Sequence, residues 1–204
     1  QIEKEWIIYT TGVVPALSAV IKALTTPGDK VIVQTPVYNC FFSSIRNNGC
    51  GMIANPLIYR NGTYQIDFAD LEEKLANPQT SMMILCNPHN PTGNIWDRDI
   101  LDKIGKLCKK YHVLVVSDEI HCDITKPGIS YIPFASVSDV CRDNCITCVA
   151  PTKTFNIAGI QTAAVIVADE NIRHRVITGL ETDNLAETNV FAAGAAAAAY
   201  SEGG

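Results

Sequence analysis

The chain has no apolar run near the roughly 20 residues that a membrane-spanning helix needs. It also lacks, at its start, the basic and then apolar segment that is typical of a secretory leader. Its 16 Lys and Arg side chains are scattered and its formal net charge is −5, whereas nucleic-acid binding needs clustered cations. These absences predict a cytoplasmic protein whose partners include neither a membrane nor nucleic acid.

Internal repeats, low-complexity linkers and a clear domain boundary are absent as well. Hydrophobic residues make up 47% of the chain and charged residues 18%, a composition that excludes a disordered protein. We expect residues 1–204 to form a single domain with a substantial core. Because the chain stops directly after an alanine-rich helix predicted over Phe191 to Tyr200, we also expect it to be a fragment.

The eight cysteines do not indicate a disulfide framework, because the chain is not a short secreted scaffold. One group, Cys141-x3-Cys145-x2-Cys148, has the spacing of a radical-SAM iron–sulfur site. The segment Cys145 to Ala150 has the character of a strand, however, which would point Cys145 and Cys148 to opposite faces. We therefore favour a chance spacing and predict no metal site; iron and labile sulfide in the purified protein would contradict this.

Short apolar runs alternate with helical patterns along the chain, as in a mostly parallel sheet covered by helices. Strands are predicted at Trp6 to Thr10, Val31 to Val33, Met52-Ile53, Met82 to Cys86, Val113 to Val116, Ile146 to Val149 and Ala163 to Val167. Only a polar loop separates the last two, so the last strand is expected to run antiparallel. The predicted fold class is α/β, a three-layer sandwich with helices on both faces of the sheet.

Helices are predicted over Val13 to Leu24, Phe41 to Asn47, Phe68 to Leu75 and Asp97 to Lys110. Asp67 has the position of an N-cap for the third of these, and Asp70 follows at nearly the spacing of a capping box.

Four polar segments follow predicted strands, at the edge where open α/β sheets bind ligands. They are Thr10-Thr11-Gly12, the stretch Cys86-Asn87-Pro88-His89-Asn90-Pro91-Thr92-Gly93, Ser117-Asp118-Glu119-Ile120-His121, and Ala150 to Asn156. Each has a plain structural interpretation by itself: a rigid turn, a helix-capping acid or a solvated lysine. Their order and spacing favour a functional interpretation instead.

These segments resemble the class I/II aminotransferase superfamily of fold-type I pyridoxal-phosphate (PLP) enzymes. The matching motifs are Asn87 to Gly93, Ser117 to Asp123 and Pro151 to Gly159, in the family's order. Thr35-Pro36-Val37-Tyr38, the Asn-Pro-His-Asn-Pro string and Asp-Glu-Ile-His are most similar to the cystathionine β-lyase-like C–S lyases. The resemblance implies the large, cofactor-binding domain of such an enzyme, without its N-terminal arm and C-terminal small domain.

The resemblance also implies roles for individual residues. Lys153 would hold PLP as a Schiff base and move the proton at the substrate's Cα. Asp118 would keep the pyridine nitrogen protonated. Asn90 would donate to the phenolic oxygen of the ring, and Tyr38 would stack on the ring face.

The phosphate is expected on the backbone amides after Gly12, at Val13 and Val14, where a helix begins. Thr152 matches a hydroxyl near that phosphate, and His121 completes the predicted cofactor-binding set. Plain structural roles stay open for three of these side chains: core packing for Tyr38, a satisfied strand-end histidine for His121, and a turn cap for Thr152.

The implied reaction is removal of the Cα proton of an amino acid followed by β-elimination of a thiol. Transamination uses the same residues and stays open, as does a non-catalytic PLP-binding regulatory domain. A homodimer is implied. The sequence departs from the family pattern at Gln161, where many relatives have an arginine, and the substrate-carboxylate arginine of the family lies outside this chain. We therefore expect the chain to bind PLP but to turn over poorly.

Overall fold

The computed structural model describes residues 2–203, within which nine strands and seven α-helices are formed. The strands are β1 (Ile7–Thr10), β2 (Lys30–Val33), β3 (Gly51–Ala54), β4 (Ile58–Arg60), β5 (Thr63–Gln65), β6 (Thr80–Cys86), β7 (Leu114–Asp118), β8 (Cys145–Val149) and β9 (Ala163–Ile166). The helices are α1 (Val13–Leu24), α2 (Cys40–Asn47), α3 (Phe68–Leu75), α4 (Arg98–Lys110), α5 (Asp139–Asp143), α6 (Glu170–Thr182) and α7 (Ala192–Glu202).

Seven strands form one sheet in the order β1-β9-β8-β7-β6-β2-β3. Strands β3, β2, β6, β7 and β8 are parallel to one another, and β9 runs antiparallel to both β8 and β1. The predicted α/β class and the antiparallel last strand are both confirmed. The remaining strands, β4 and β5, form a separate hairpin whose turn is Asn61-Gly62.

Two apolar clusters cover the two faces of the sheet. One contains the buried side chains of α1, α2 and α6, and the other contains those of α3, α4 and α5. Consecutive residues of one strand, such as Val115 and Val116, belong to different clusters, because side chains alternate between the faces of a sheet. The sheet is therefore the middle layer of a three-layer sandwich, as predicted.

Aspartate caps explain where two helices begin: Asp67 was predicted as a cap, whereas Asp97 was predicted as the first residue of its helix. The carboxylate of Asp67 accepts hydrogen bonds from the backbone N–H groups of Ala69 and Asp70, and Asp97 accepts one from Ile100. The expected capping box at Asp70 is wrong. The Asp70 carboxylate instead accepts hydrogen bonds from Asn55 Nδ2 at 2.7 Å and from Lys74 Nζ, a cationic partner one turn further along the same helix.

Other elements differ from the sequence-based expectation. Trp6 ends a short 3-10 helix (Lys4–Trp6), so the first strand begins one residue later than predicted. Helices α5 and α6 were not predicted. In α6 the apolar positions are interrupted by polar and β-branched residues, which leaves a weak helical pattern.

The cysteines are all free thiols. As predicted, Cys145 and Cys148 lie on opposite faces of the sheet, one in each apolar cluster. Within residues 2–203, no three His, Cys, Asp or Glu side chains converge in a way that could hold a metal ion. None of the helices in this part of the chain is both long and apolar enough to cross a membrane.

Candidate functional site

Four strands end along one edge of the sheet and enclose a cavity there. Strands β6, β7 and β8 are mutually parallel, and β1 shares their direction because both β1 and β8 run antiparallel to β9. The cavity has a volume of about 220 Å³. All nine residues that the sequence analysis assigned to the cofactor line this cavity: Gly12, Val13, Val14, Tyr38, Asn90, Asp118, His121, Thr152 and Lys153.

Asp118 is the last residue of β7 and is only 5% exposed. Burial raises the pKa of its carboxyl group to about 6, although the backbone N–H of Ile120 and the positive charge of Lys153 both act to lower it. The Ile120 N–H donates to Asp118 Oδ1 at 3.1 Å. A buried carboxylate of this kind gains stability from a cationic group placed against it in the cavity.

Lys153 lies in a tight turn after β8, with its side chain exposed to the cavity mouth. The turn is closed by two backbone hydrogen bonds, from Phe155 N–H to Pro151 O and from Ile157 N–H to Thr152 O. This turn presents a primary amine, the group that forms an imine with an aldehyde, in the same cavity as the buried carboxylate of Asp118.

The start of α1 forms another wall of the cavity. Gly12 precedes the helix, and Val13 and Val14 supply backbone N–H groups that have no acceptor within the helix. Pro15 follows and has no N–H of its own. The free N–H groups and the positive end of the helix dipole favour an anion at this wall.

Side chains from four different loops form the rest of the cavity wall: Tyr38, Asn90, His121 and Thr152. The ring of Tyr38 meets Phe41 edge to face at 5.9 Å, and its side chain remains partly exposed. Burial lowers the pKa of His121, with the positive charge of Lys153 acting in the same direction, so a neutral imidazole faces the cavity at neutral pH.

The sequence analysis missed four residues that also line the cavity, namely Pro15, Cys86, Ile120 and Ala158. Each lies next to or within a motif that was recognised. Cys86, for example, directly precedes the Asn87 to Gly93 stretch and ends β6. Only their position beside a recognised motif could have indicated them, because apolar side chains and a thiol are ordinary core residues.

Gln161 lies outside the cavity wall. It is exposed and adopts a left-handed backbone conformation with φ of 52°.

Glu119, the residue after Asp118, is buried and fully hydrogen-bonded next to the cavity. It is 2% exposed, and its carboxylate accepts hydrogen bonds from the Ser117 hydroxyl at 2.8 Å, the Phe134 backbone N–H at 3.0 Å and the Tyr131 hydroxyl. Burial raises the pKa of Glu119, and these three donors oppose that shift. The residue after Asp118 thus fixes the end of β7 to the segment at residues 131–134.

Comparison with known proteins agrees with this geometry. The chain matches the family model "Aminotransferase class I and II" over residues 1–202. It is 48% identical over 204 residues to cystathionine beta-lyase PatB of Bacillus subtilis, covering 100% of this chain and 53% of that protein.

Solved structures of two related proteins superpose closely. Cystalysin from Treponema denticola, which contains a pyridoxal 5'-phosphate cofactor, gives a TM-score of 0.98 at 37% identity, over 100% of this chain and 52% of that one. The PLP-bound C–S lyase from Staphylococcus hominis gives a TM-score of 0.92 at 32% identity, and the match covers 100% of this chain and 51% of that one.

The chain spans about half the length of the curated relatives it matches. Within that half, the match extends over the whole sheet and every motif used in the sequence analysis. The family expected from those motifs is confirmed: this chain belongs to the class I and II aminotransferase family.

Proposed function

We propose that this chain is the cofactor-binding part of a PLP-dependent enzyme that cleaves the Cβ–S bond of an amino acid. The observation that carries the proposal is the single cavity in which Lys153, Asp118 and Asn90 meet the start of α1. PatB of B. subtilis and the S. hominis enzyme, which are named as lyases, support the reaction type.

The residues present fit PLP by their chemistry. The start of α1 offers backbone donors for a phosphate, and Lys153 offers an amine for an aldehyde. The buried Asp118 carboxylate has a raised pKa of about 6, and it would hold the protonated pyridine nitrogen of the cofactor, whose positive charge would keep the carboxylate ionised. The bound cofactor supplies an electron sink for negative charge at the substrate's Cα.

Each of these side chains has a separate role in the proposed reaction. Lys153 would remove the proton from the substrate's Cα, and a thiolate would leave from Cβ and take up a proton as the thiol. Water would then hydrolyse the remaining unsaturated amino acid to pyruvate and ammonia. Asn90 and Tyr38 both line the cavity. Asn90 would donate to the phenolic oxygen of the ring, and Tyr38 would cover the ring with its broad apolar side chain. Transamination requires the same groups, and we treat it as the alternative outcome of the assay below.

The test of the cofactor site is covalent labelling. The purified chain is incubated with PLP, its absorbance is recorded, and the adduct is reduced with borohydride and mapped by mass spectrometry. We expect the label on Lys153 and its loss in Lys153→Ala. Lys109→Ala is the matched control, because Lys109 is an exposed lysine of α4 that does not line the cavity. Labelling spread over several lysines, with none preferred, would contradict the proposal.

The reaction type is tested with cystathionine and S-alkyl-cysteines. Release of pyruvate without an added keto acid supports the lyase, and a requirement for a keto acid supports the transaminase. Among residues 2–203, no arginine lines the cavity, so we expect slow turnover from this chain by itself. Rapid turnover would show that a substrate carboxylate is held without such an arginine.

We further propose a homodimer that functions in the cytoplasm. Free thiols at all eight cysteines are compatible with a reducing compartment. Light scattering coupled to size-exclusion chromatography measures the oligomeric state, and a monomer at all accessible concentrations would contradict the dimer.

A further inference from the structure

Cys86 has no part in the chemistry described above, yet it lies in the middle of the site. It is the last residue of β6, it is 2% exposed, and its side chain lines the cavity beside Asn90 and Asp118. The Asn87 to Gly93 turn begins immediately after it, so its thiol is placed to contact the backbone of that turn.

The thiol bridges two backbone groups of the turn. The backbone N–H of Asn90 donates to Cys86 Sγ at 3.3 Å, and the thiol donates to the carbonyl oxygen of Pro88 at 3.5 Å. Burial raises the pKa of this thiol to about 12, so it stays protonated at neutral pH and can make both contacts at once.

The far side of the turn is held separately. The backbone N–H of His89 donates to Asn94 O, and that of Gly93 donates to His89 O, both at 2.7 Å. The near side, where Asn90 is attached, depends on the sulfur of Cys86. A rotation of the Asn90 backbone would swing its side-chain amide, because the direction of Cβ follows the backbone.

We propose that Cys86 is a positioning residue, whose thiol holds the backbone of Asn90 so that the Asn90 amide points at the phenolic oxygen of the cofactor. The inference rests on the proposed function, since it needs PLP on Lys153. Loss of the amide contact concentrates negative charge on that oxygen. The charge then attracts the proton on the adjacent nitrogen that joins Lys153 to the cofactor.

Cys148 provides a matched control. Asp118 is the register partner of Cys86 on one side and of Cys148 on the other. Both thiols are buried and belong to the same apolar cluster. Only Cys86 lines the cavity and contacts the Asn87 to Gly93 turn. Both substitutions remove a buried sulfur from a strand residue paired with Asp118, whereas only the loss of Cys86 removes a contact with Asn90.

The experiment is a pH titration of the cofactor absorbance in the PLP-loaded chain. In Cys86→Ala we expect the midpoint to rise by about half a pH unit or more, the size of one lost hydrogen bond. In Cys86→Ser, which can make both contacts, the midpoint returns to within about 0.2 units of the wild type. Cys148→Ala leaves it unchanged. If Cys86→Ala does not fold, Cys86→Val replaces it, since valine fills a similar volume without a polar atom.

A midpoint that stays at the wild-type value in the Ala or Val variant, or that moves equally in Cys148→Ala, overturns the role of Cys86. Wild-type chain that carries no label on Lys153 after borohydride reduction overturns the proposed function and this inference together. The labelling result therefore separates the two failures.

Discussion

The phenol of Tyr131 donates a hydrogen bond to the buried carboxylate of Glu119, which lies 12 residues earlier in the chain. The contact joins the end of β7, and with it Asp118, to the loop that leads towards α5. Burial, together with the negative charge of Glu119, raises the pKa of Tyr131 strongly, so the phenol is protonated and acts as a donor at neutral pH.

We expect Tyr131→Phe to lower the free energy of unfolding by about 1–3 kcal/mol, because it removes one of three donors from a buried acceptor. Urea denaturation measures this change. Tyr59→Phe is the control: Tyr59 is 63% exposed, and its substitution should change stability by less than about 0.5 kcal/mol. Equal effects of the two substitutions would show that the contact does not stabilise the fold.

Asp118→Asn should stabilise the cofactor-free chain near neutral pH. The pKa of Asp118 is raised by burial to about 6 in the folded state, so the folded protein binds a proton more tightly than the unfolded chain. Its stability therefore falls as the pH rises from about 4 to about 6, and by pH 7 the accumulated cost is up to about 3 kcal/mol. Asparagine removes that cost and can still accept from the Ile120 N–H.

The measurement is urea denaturation of both forms from pH 4 to pH 7 without PLP. We expect the advantage of Asp118→Asn to be largest at pH 7 and to disappear towards pH 4. An advantage that grows as the pH falls would have the wrong sign and would contradict the assigned pKa.

Alanine substitutions at Gly105 and Gly194 should change the stability of the protein in opposite directions, although both residues lie within helices. A Cβ on Gly105 of α4 would lie 2.3 Å from Cys141 Sγ, whereas one on Gly194 of α7 would meet nothing within 4 Å. We expect Gly105→Ala to destabilise the protein by about 1–3 kcal/mol through overpacking. Gly194→Ala should increase the helix content of α7, worth about 0.5–1 kcal/mol. Thermal unfolding followed by circular dichroism distinguishes the two signs.

Asp67→Ala tests the cap of α3. Its carboxylate accepts two backbone hydrogen bonds at 3.1 and 3.0 Å, and loss of such a cap costs about 0.5–2 kcal/mol of stability. Glu73→Ala, at an exposed position of the same helix, is the control for removal of one negative charge and should change stability little. If Asp67→Ala does not change stability, the cap does not stabilise α3, and its stability comes from the burial of Leu71 and Leu75.

The sequence by itself determined most of the elements and their type. Helix α3 begins at the residue after Asp67 and ends at Leu75, as its pattern predicted, and β6 contains the whole predicted run from Met82 to Cys86. These signals are local: a capping side chain, a breaker and an apolar period act within a few residues of each other.

The tertiary structure decided where α6 forms and how it packs. Its own pattern is weak, but Gly179 allows it to approach α1 so closely that an added Cβ would lie 2.8 Å from Ala23 Cβ and 3.2 Å from Ala19 O. A contact between residues more than 150 positions apart leaves no periodic signal in either segment, so it could not be predicted from either one.

The candidate site, like the fold, was determined partly by the sequence and partly by the tertiary structure. The motifs named Lys153, Asp118 and Asn90 through a family resemblance, but only the strand order brings the ends of β1, β6, β7 and β8 to one cavity. The pKa of Asp118, the donors around Glu119 and the place of Cys86 under Asn90 all depend on that assembly. Burial and hydrogen bonding are properties of neighbours in space, and the sequence specifies such neighbours only after the chain has folded.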